Sequence, residues 1–369
     1  MEDTVRITKK AAFSGLALVS AAALLAGCGS APEETGDGDG GEALDYLPCM
    51  VSDFGGFDDK SFNQLGFEGM VAAAEELGVE YTEVESQAET DYNANLQNLV
   101  DQGCNTIVTV GFALAPAALE SALANPDVEY VSIDDTVDQD FDGTTDAENI
   151  KPLIFDTAQA AFLAGYLSAG VSQTGVVGTF GGQNFPTVSV FMDGFAQGVD
   201  YYNEEMGADV QVVGWDREAQ DGSFTGGFEA NDTARQIAQG LIDQNADIIL
   251  PVGGPIYQSA AAAIRDSGRE IALIGVDADV YETDPSVGDL LLTSVLKGID
   301  VAVHEAIVEA GNGNFDPAPF VGTLENEGVG IASFHDWEDR VPAELATKIE
   351  ELQAAIIAGE IAVESYLAE

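Results

Sequence analysis

From residue 47 onward, short apolar runs alternate with longer stretches in which apolar residues recur every three to five positions. "CMVSD" (49–53) reads as a strand, and Ser61 to Leu77 as a helix with Phe62, Leu65, Met70, Ala73 and Leu77 on one face. "VEYTEV" (79–84), a helix over 91–102, "NTIVTVG" (105–111), a helix over 114–124 and "VEYVSID" (128–134) continue the alternation. A second series holds "TGVVGTF" (174–180), a helix over 187–205, "DVQVVGW" (209–215), a helix over 231–245, "DIILPVG" (247–253), a helix over 256–267 and "IALIGVD" (271–277). The tail differs: "LLLTSVL" (290–296) leads into a helix over 298–310, then "FVGTLENEGVGIAS" (320–333) and a last helix over 342–358.

Repeated strand–helix–strand units imply parallel sheets with helices on both faces. The prediction is an α/β protein of two doubly wound parallel-sheet lobes joined by crossover hinges. Lobe one is expected over 46–156 plus 293–320, and lobe two over 157–292 plus 321–369. Parallel sheets gather their loops at the C-terminal ends of the strands, so a cleft between the lobes is the expected ligand site. A hydrophobic content of 46% suffices for two such cores.

The N-terminal end stands apart from this pattern. Arg6, Lys9 and Lys10 precede "AAFSGLALVSAAALLAG" (11–27), too short and small-residued for a stable membrane span, so residues 1–27 read as an export signal. "LAGC", Leu25 to Cys28, resembles the lipobox of bacterial lipoproteins, in which the cysteine thiol receives a diacylglyceryl group. The competing reading is a plain secretory signal with a chance cysteine. Residues 28–45 have almost no apolar content and are expected to form a flexible acidic tether. Two acyl chains would hold the protein on the extracytoplasmic face of the cell membrane.

Charge narrows the list of partners. The chain has 12 basic and 65 acidic residues, and removal of residues 1–27 leaves 9 and 63, a formal charge of −54. Such a surface repels nucleic acid and anionic lipid head groups. It resembles halophilic surfaces, whose repulsion salt screens. Two cysteines remain, Cys49 at the first strand and Cys104 before the third. In a doubly wound sheet those strands are usually neighbours, so either a disulfide or two buried thiols fits.

Polar residues follow strand after strand: Asp53, Gly111, Asp134 with Asp135, Gly181 with Gly182, "VGGP" (252–255), Asp277 and Lys297. Each alone reads as a turn or helix cap; together they converge on the cleft. "SDFGGFDDKSFNQ" (52–64), with "IGVD" (274–277) and "TSVLK" (293–297) downstream, resembles the basic membrane lipoprotein family, substrate-binding lipoproteins of ABC importers, several of which bind purine and other nucleosides. "TGVVGTFGG" followed by "FMDGFAQGV" is similar to that family's second-lobe opening.

The resemblance implies a type I periplasmic-binding-protein-like fold, no cofactor, and permease and ATPase partners. It also implies that Asp53 and Asn63 hydrogen-bond a nucleoside, that Phe62 stacks on the base, that Asp134 adds an acceptor, and that Asp277 and Lys297 hold the ribose hydroxyls. The chemistry agrees, since a nucleoside offers a flat π-face, N–H donors and a cis-diol to rings and carboxylates. Where the family has a glycine-rich turn, this chain has "GGPIYQ" (253–258), and Tyr257 or its rival Phe180 is expected to form a second aromatic wall. From residue 11 to 347 the only lysines are 60, 151 and 297; Lys60 is expected to brace its loop through Asp58 or Asp59.

A second candidate is "DQDFDGTTDAEN" (138–149), with Asp138, Asp140, Asp142 and Asp146 at positions 1, 3, 5 and 9 of an EF-hand-like calcium loop and glycine at 6. Position 12 is Asn149 where a bidentate glutamate is expected. An acid-rich loop without a metal is the plainer alternative. An enzyme on a similar scaffold finds no support: His304 and His335 lie in no metal or triad spacing, and neither a nucleophile elbow nor a dinucleotide fingerprint follows the first strand. With no arginine cluster and no phosphate-cradling loop, phosphorylated ligands are disfavoured. A binding protein for another neutral solute, such as a sugar or a signalling molecule, stays open.

Overall fold

The computed structural model describes residues 44–140 and 142–367. The expected signal 1–27, the lipidation residue Cys28 and tether residues 28–43 lie outside the described residues. Among those described, no helix is long and apolar enough to cross a membrane.

In the first half, β1 (Pro48–Val51), β2 (Thr82–Val84), β3 (Thr106–Val110), β4 (Glu129–Ile133) and β5 (Ile150–Phe155) alternate with α1 (Phe62–Leu77), α2 (Tyr92–Asp101) and α3 (Ala115–Ala124). The second half opens with α4 (Thr157–Val171), β6 (Val176–Gly181), α5 (Pro186–Met206), β7 (Gln211–Val213) and a small hairpin of β8 (Trp215–Asp216) and β9 (Asp221–Gly222). It continues through α6 (Asp232–Asp243), β10 (Ile248–Val252), α7 (Ile256–Ser267), β11 (Ala272–Asp277), α8 (Val280–Thr283) and β12 (Leu291–Lys297). The tail adds α9 (Ile299–Gly311), β13 (Phe320–Gly322), β14 (Val329–Ile331) and α10 (Ala343–Ile357).

These strands build two six-stranded sheets, ordered β13-β5-β4-β3-β1-β2 and β14-β12-β11-β10-β6-β7. Pairing is parallel throughout both, except that β14 runs antiparallel to β12. The apolar strands are buried on both faces, as all-parallel sheets under helices require.

The chain passes between the sheets at residues 155–157, 297–299 and 322–329. The expected boundary at 292/293 therefore needs correction. It falls inside β12, all of which lies in the second sheet; the crossing comes after Lys297, and α9 then packs on α1 in lobe one. The boundary at 320/321 likewise cuts β13, which belongs whole to the first sheet. Polar patterning does not mark the first two crossings, where a strand runs into a helix across a single residue, Asp156 or Gly298; the third passes through the polar turn 323–328 between β13 and β14.

Two well-buried elements have no counterpart among the sequence expectations. β5 contains Pro152 and adjoins the acid-rich loop, which obscures it. α4 is apolar on every side, with 13 buried residues, so it shows no amphipathic stripe. It packs against α5 at very close range: a Cβ on Gly165 or Gly198 would run into the backbone carbonyl of Phe195 or Phe162.

β1 and β3 are neighbours, and Cys49 and Cys104 are joined by a disulfide with Cα atoms 5.9 Å apart. In the chain-entropy picture a cross-link across 55 residues stabilises by about 4 kcal/mol.

Candidate functional site

The C-terminal ends of both sheets face one cleft, with about 630 Å³ of atom-free space counting its open mouth. On lobe one, β1 ends and the chain enters a loop held by short polar bonds. Asp53 Oδ1 accepts from Gly55 N at 2.8 Å, and Glu85 Oε1 from Phe57 N at 3.0 Å. Lys60 takes φ 62° and pairs with Asp58, so it braces the loop and is absent from the cleft lining. Helix α1 then begins at Phe62 with no side-chain cap from Ser61; the carboxylate of Asp59 accepts from the N–H groups of Ser61, Asn63 and Gln64 at 2.9–3.1 Å. This start points Phe62 and Asn63 at the cleft.

Asp134 follows β4 and Asp277 ends β11, and both adopt left-handed backbone, φ 69° and 66°. That conformation is costly for a residue with a side chain and gathers at functional sites. Between the two acids lies Lys297, the last residue of β12 and 4% exposed. Its Nζ donates to Asp134 Oδ2 at 2.6 Å and stands 3.8 Å from Asp277 Oδ1. The rings of Phe191, Phe62 and Phe155 surround the ammonium at 5.1, 5.2 and 5.8 Å. A buried cation so enclosed is held by carboxylates and π-faces together.

Burial dominates the ionisation of the acids. It pushes Asp53 up to about 6 against the hydrogen bonds from Gly55 and Asn63, with the charge of Asp59 adding to the rise. It pushes Asp277 up to about 6, Lys297 opposing and Asp134 adding. Asp134 and Asp59 are raised for the same cause, despite Lys297 beside the one and N–H donors around the other.

Six of the expected ligand residues, Asp53, Phe62, Asn63, Asp134, Asp277 and Lys297, line this cleft together. The expected second aromatic wall is corrected. Phe180 is fully buried in the core between the second sheet and α6 and α7, because alternation along β6 turns its side chain to that face. Tyr257 packs in the same core from the first turn of α7, and its hydroxyl donates to Asp284 at 2.9 Å. Phe185, Phe191 and Phe228 supply the wall instead. Phe228 lies in an irregular loop, where no periodicity points to it. A Cβ on Gly182 or Gly253 would strike its ring, so the glycines after β6 and β10 make room for an aromatic side chain. At the mouth, rings from opposite lobes meet: Phe54 with Phe228 at 6.1 Å and Phe112 with Phe185 at 5.1 Å between centroids.

The acid-rich loop lies elsewhere. Asp138, Asp140 and Asp146 can each bring one oxygen within 4.8 Å of the others. Asp138 accepts from Gly143 N and Asp146 from Gln139 N, at 2.8 and 2.7 Å, closing the loop on itself. Asp142 accepts from Thr144 N and Oγ1. Asn149, at the twelfth position, donates to the carbonyls of Ala122, Asn125 and Val128 and so ties the loop to the end of α3. Phe141 lies outside the described residues.

Comparison with known proteins accords with this geometry. Residues 47–366 match the Bmp family, described as ABC transporter substrate-binding protein PnrA-like. A CD4+ T-cell-stimulating antigen of Listeria innocua is 27% identical over 363 residues, covering 94% of this chain and 96% of that protein. The ABC transporter nucleoside-binding protein BmpA of Lactococcus lactis is 26% identical, covering 96% and 98%. A crystal structure of an ABC transporter solute-binding protein from Aeropyrum pernix superposes with a TM-score of 0.76 at 25% identity, covering 86% of this chain and 92% of the other. The chain belongs to the Bmp family: it is a two-lobed substrate-binding protein of the ABC-importer class.

Proposed function

We propose that this member of the Bmp family captures a nucleoside, most naturally a purine nucleoside, between its lobes and presents it to a membrane permease driven by an ATPase. The observation that carries the reading is the cleft's composition: carboxylates from both lobes, one enclosed lysine, and phenylalanine rings on facing sides. Phe62 and Phe228 would sandwich the base, each aromatic contact contributing roughly 1–3 kcal/mol. Asp53 and Asn63 would accept from base N–H groups. Asp277, held ionised by Lys297 beside it, would accept from the ribose hydroxyls. Four acids and one lysine disfavour phosphorylated ligands.

Capture is a shift between open and closed states. Ser61 Oγ donates to Val276 O at 2.8 Å and Thr283 Oγ1 to Lys60 O at 2.7 Å, so direct bonds join the lobes across the cleft. Ligand touching both sides would add to these. We place the protein on the extracytoplasmic membrane face, held through Cys28 and the tether of residues 28–45. Mass spectrometry of small molecules released on denaturing the purified protein tests the proposal. A nucleoside recovered intact supports it, whereas a sugar or signalling molecule would favour the other neutral-solute reading.

A further inference from the structure

Ser61 occupies the position where a helix normally takes its cap from a serine hydroxyl. That hydroxyl is used across the cleft instead, bonding Val276 O at 2.8 Å and Asp277 Oδ2 at 3.1 Å. Asp59, 3% exposed, does the capping. Its Oδ1 accepts from Ser61 N and Gln64 N, and its Oδ2 from Asn63 N and from the Asn63 side-chain Nδ2 at 3.1 Å. The other Nδ2 proton goes to Asp53 Oδ1 at 2.9 Å. Two carboxylates therefore hold the amide in one orientation, since the flipped amide would set its oxygen against both. Asn63 is 2% exposed, and its Oδ1 has no hydrogen-bond partner among the described residues although the residue lines the cleft. A buried acceptor aimed at a ligand gains its full strength only from an N–H or O–H donor.

We propose that Asp59 is the positioning residue that presents Asn63 Oδ1 to the ligand and, through Ser61, ties that contact to the facing lobe. A ligand N–H met by Asn63 and the Ser61–Asp277 bond both hang on one carboxylate, so recognition in lobe one and closure against lobe two are set together. The inference rests on the nucleoside reading for its choice of probes.

Calorimetry with inosine and with 1-methylinosine, which lacks the base N1–H, tests it. Wild type should prefer inosine by about tenfold or more, the discrimination expected when a buried acceptor loses its donor. Asp59→Ser can still accept from Ser61 N but cannot reach Asn63 Nδ2, so the amide is left to Asp53 alone and the preference should shrink to about threefold or less. Ser61→Ala should weaken both ligands equally and keep the preference. Loss of affinity for both ligands in D59S with the preference intact would reduce Asp59 to a structural role and overturn the proposal, as would equal binding of both by wild type. Binding of neither by wild type would overturn the nucleoside reading instead. Should D59S fail to fold, wild-type NMR still decides. The Asn63 side-chain NH₂ protons should exchange slowly with solvent in the empty protein, and fast exchange would sink the idea.

Discussion

The two lobes share one strand order, and corresponding positions in them carry different chemistry. β4 and β11 occupy equivalent places in the sheets, and a left-handed aspartate stands at the end of each, Asp134 just after β4 and Asp277 as the last residue of β11. β3 and β10 also correspond, and each is followed by a glycine with positive φ, Gly111 or Gly253. The likeness stops at β1 and β6. After β1 comes Asp53, with Asp59 and Asn63 behind it; after β6 comes Gly182, cleared for the ring of Phe228. Lobe one thus brings most of the charge and hydrogen-bonding capacity, lobe two most of the apolar wall. A common backbone frame fixes where side chains stand, and each lobe fills that frame for a different part of the ligand.

Removing the shared cation should break the pairing most severely. Lys297→Met leaves Asp134 and Asp277 buried without their counter-charge, and stability should fall by about 3–5 kcal/mol in urea denaturation, with nucleoside binding lost. Next comes a contrast within lobe two. Phe180→Ala should cost about 3–5 kcal/mol of stability because it opens a cavity in the outer core, while ligand affinity in the folded fraction holds. Phe228→Ala should do the reverse, weakening nucleoside binding by roughly tenfold with a near-normal melting curve. If Phe180→Ala weakens binding and Phe228→Ala does not, the corrected wall is wrong. Asp277→Ala should weaken binding by about tenfold or more, whereas the empty protein's melting temperature should hold or rise slightly, because a raised buried acid is removed.

The smallest effect is on pH. Asp53 and Asp277 sit near 6 when folded, above the ordinary 3.8 of an exposed aspartate. The folded state therefore binds more protons between those values, and these groups make the empty protein more stable as pH falls from about 7 to about 4. Ligand N–H and O–H donors favour the ionised carboxylates, so affinity should fall as pH drops through about 6. Thermal melts and calorimetry across this range should move in opposite directions, and Asp53→Asn should flatten part of both trends.

Strand ends were legible in the sequence because parallel sheets put polar residues there by rule, which is how Asp53, Asp134, Asp277 and Lys297 could be named. Phe62 and Asn63 came from the resemblance of "DDKSFNQ" to a known motif. The aromatic wall was not legible, since Phe228 belongs to a loop without period and reaches the cleft only through folding. Phe180 misled because a strand-end position does not say which face the side chain takes. Asp59 was hidden by its neighbours: in so acidic a chain, one carboxylate that caps a helix looks like any other. α4 escaped because a helix buried all round loses the alternation that betrays a helix.

The Cys49–Cys104 bridge lies where β1 and β3 begin, at the end of the sheet away from the ligand. Its consequence falls on manufacture more than on use. Chains made in a reducing compartment should accumulate poorly and be cleared, whereas folded material given dithiothreitol should still take up its cargo with ordinary affinity.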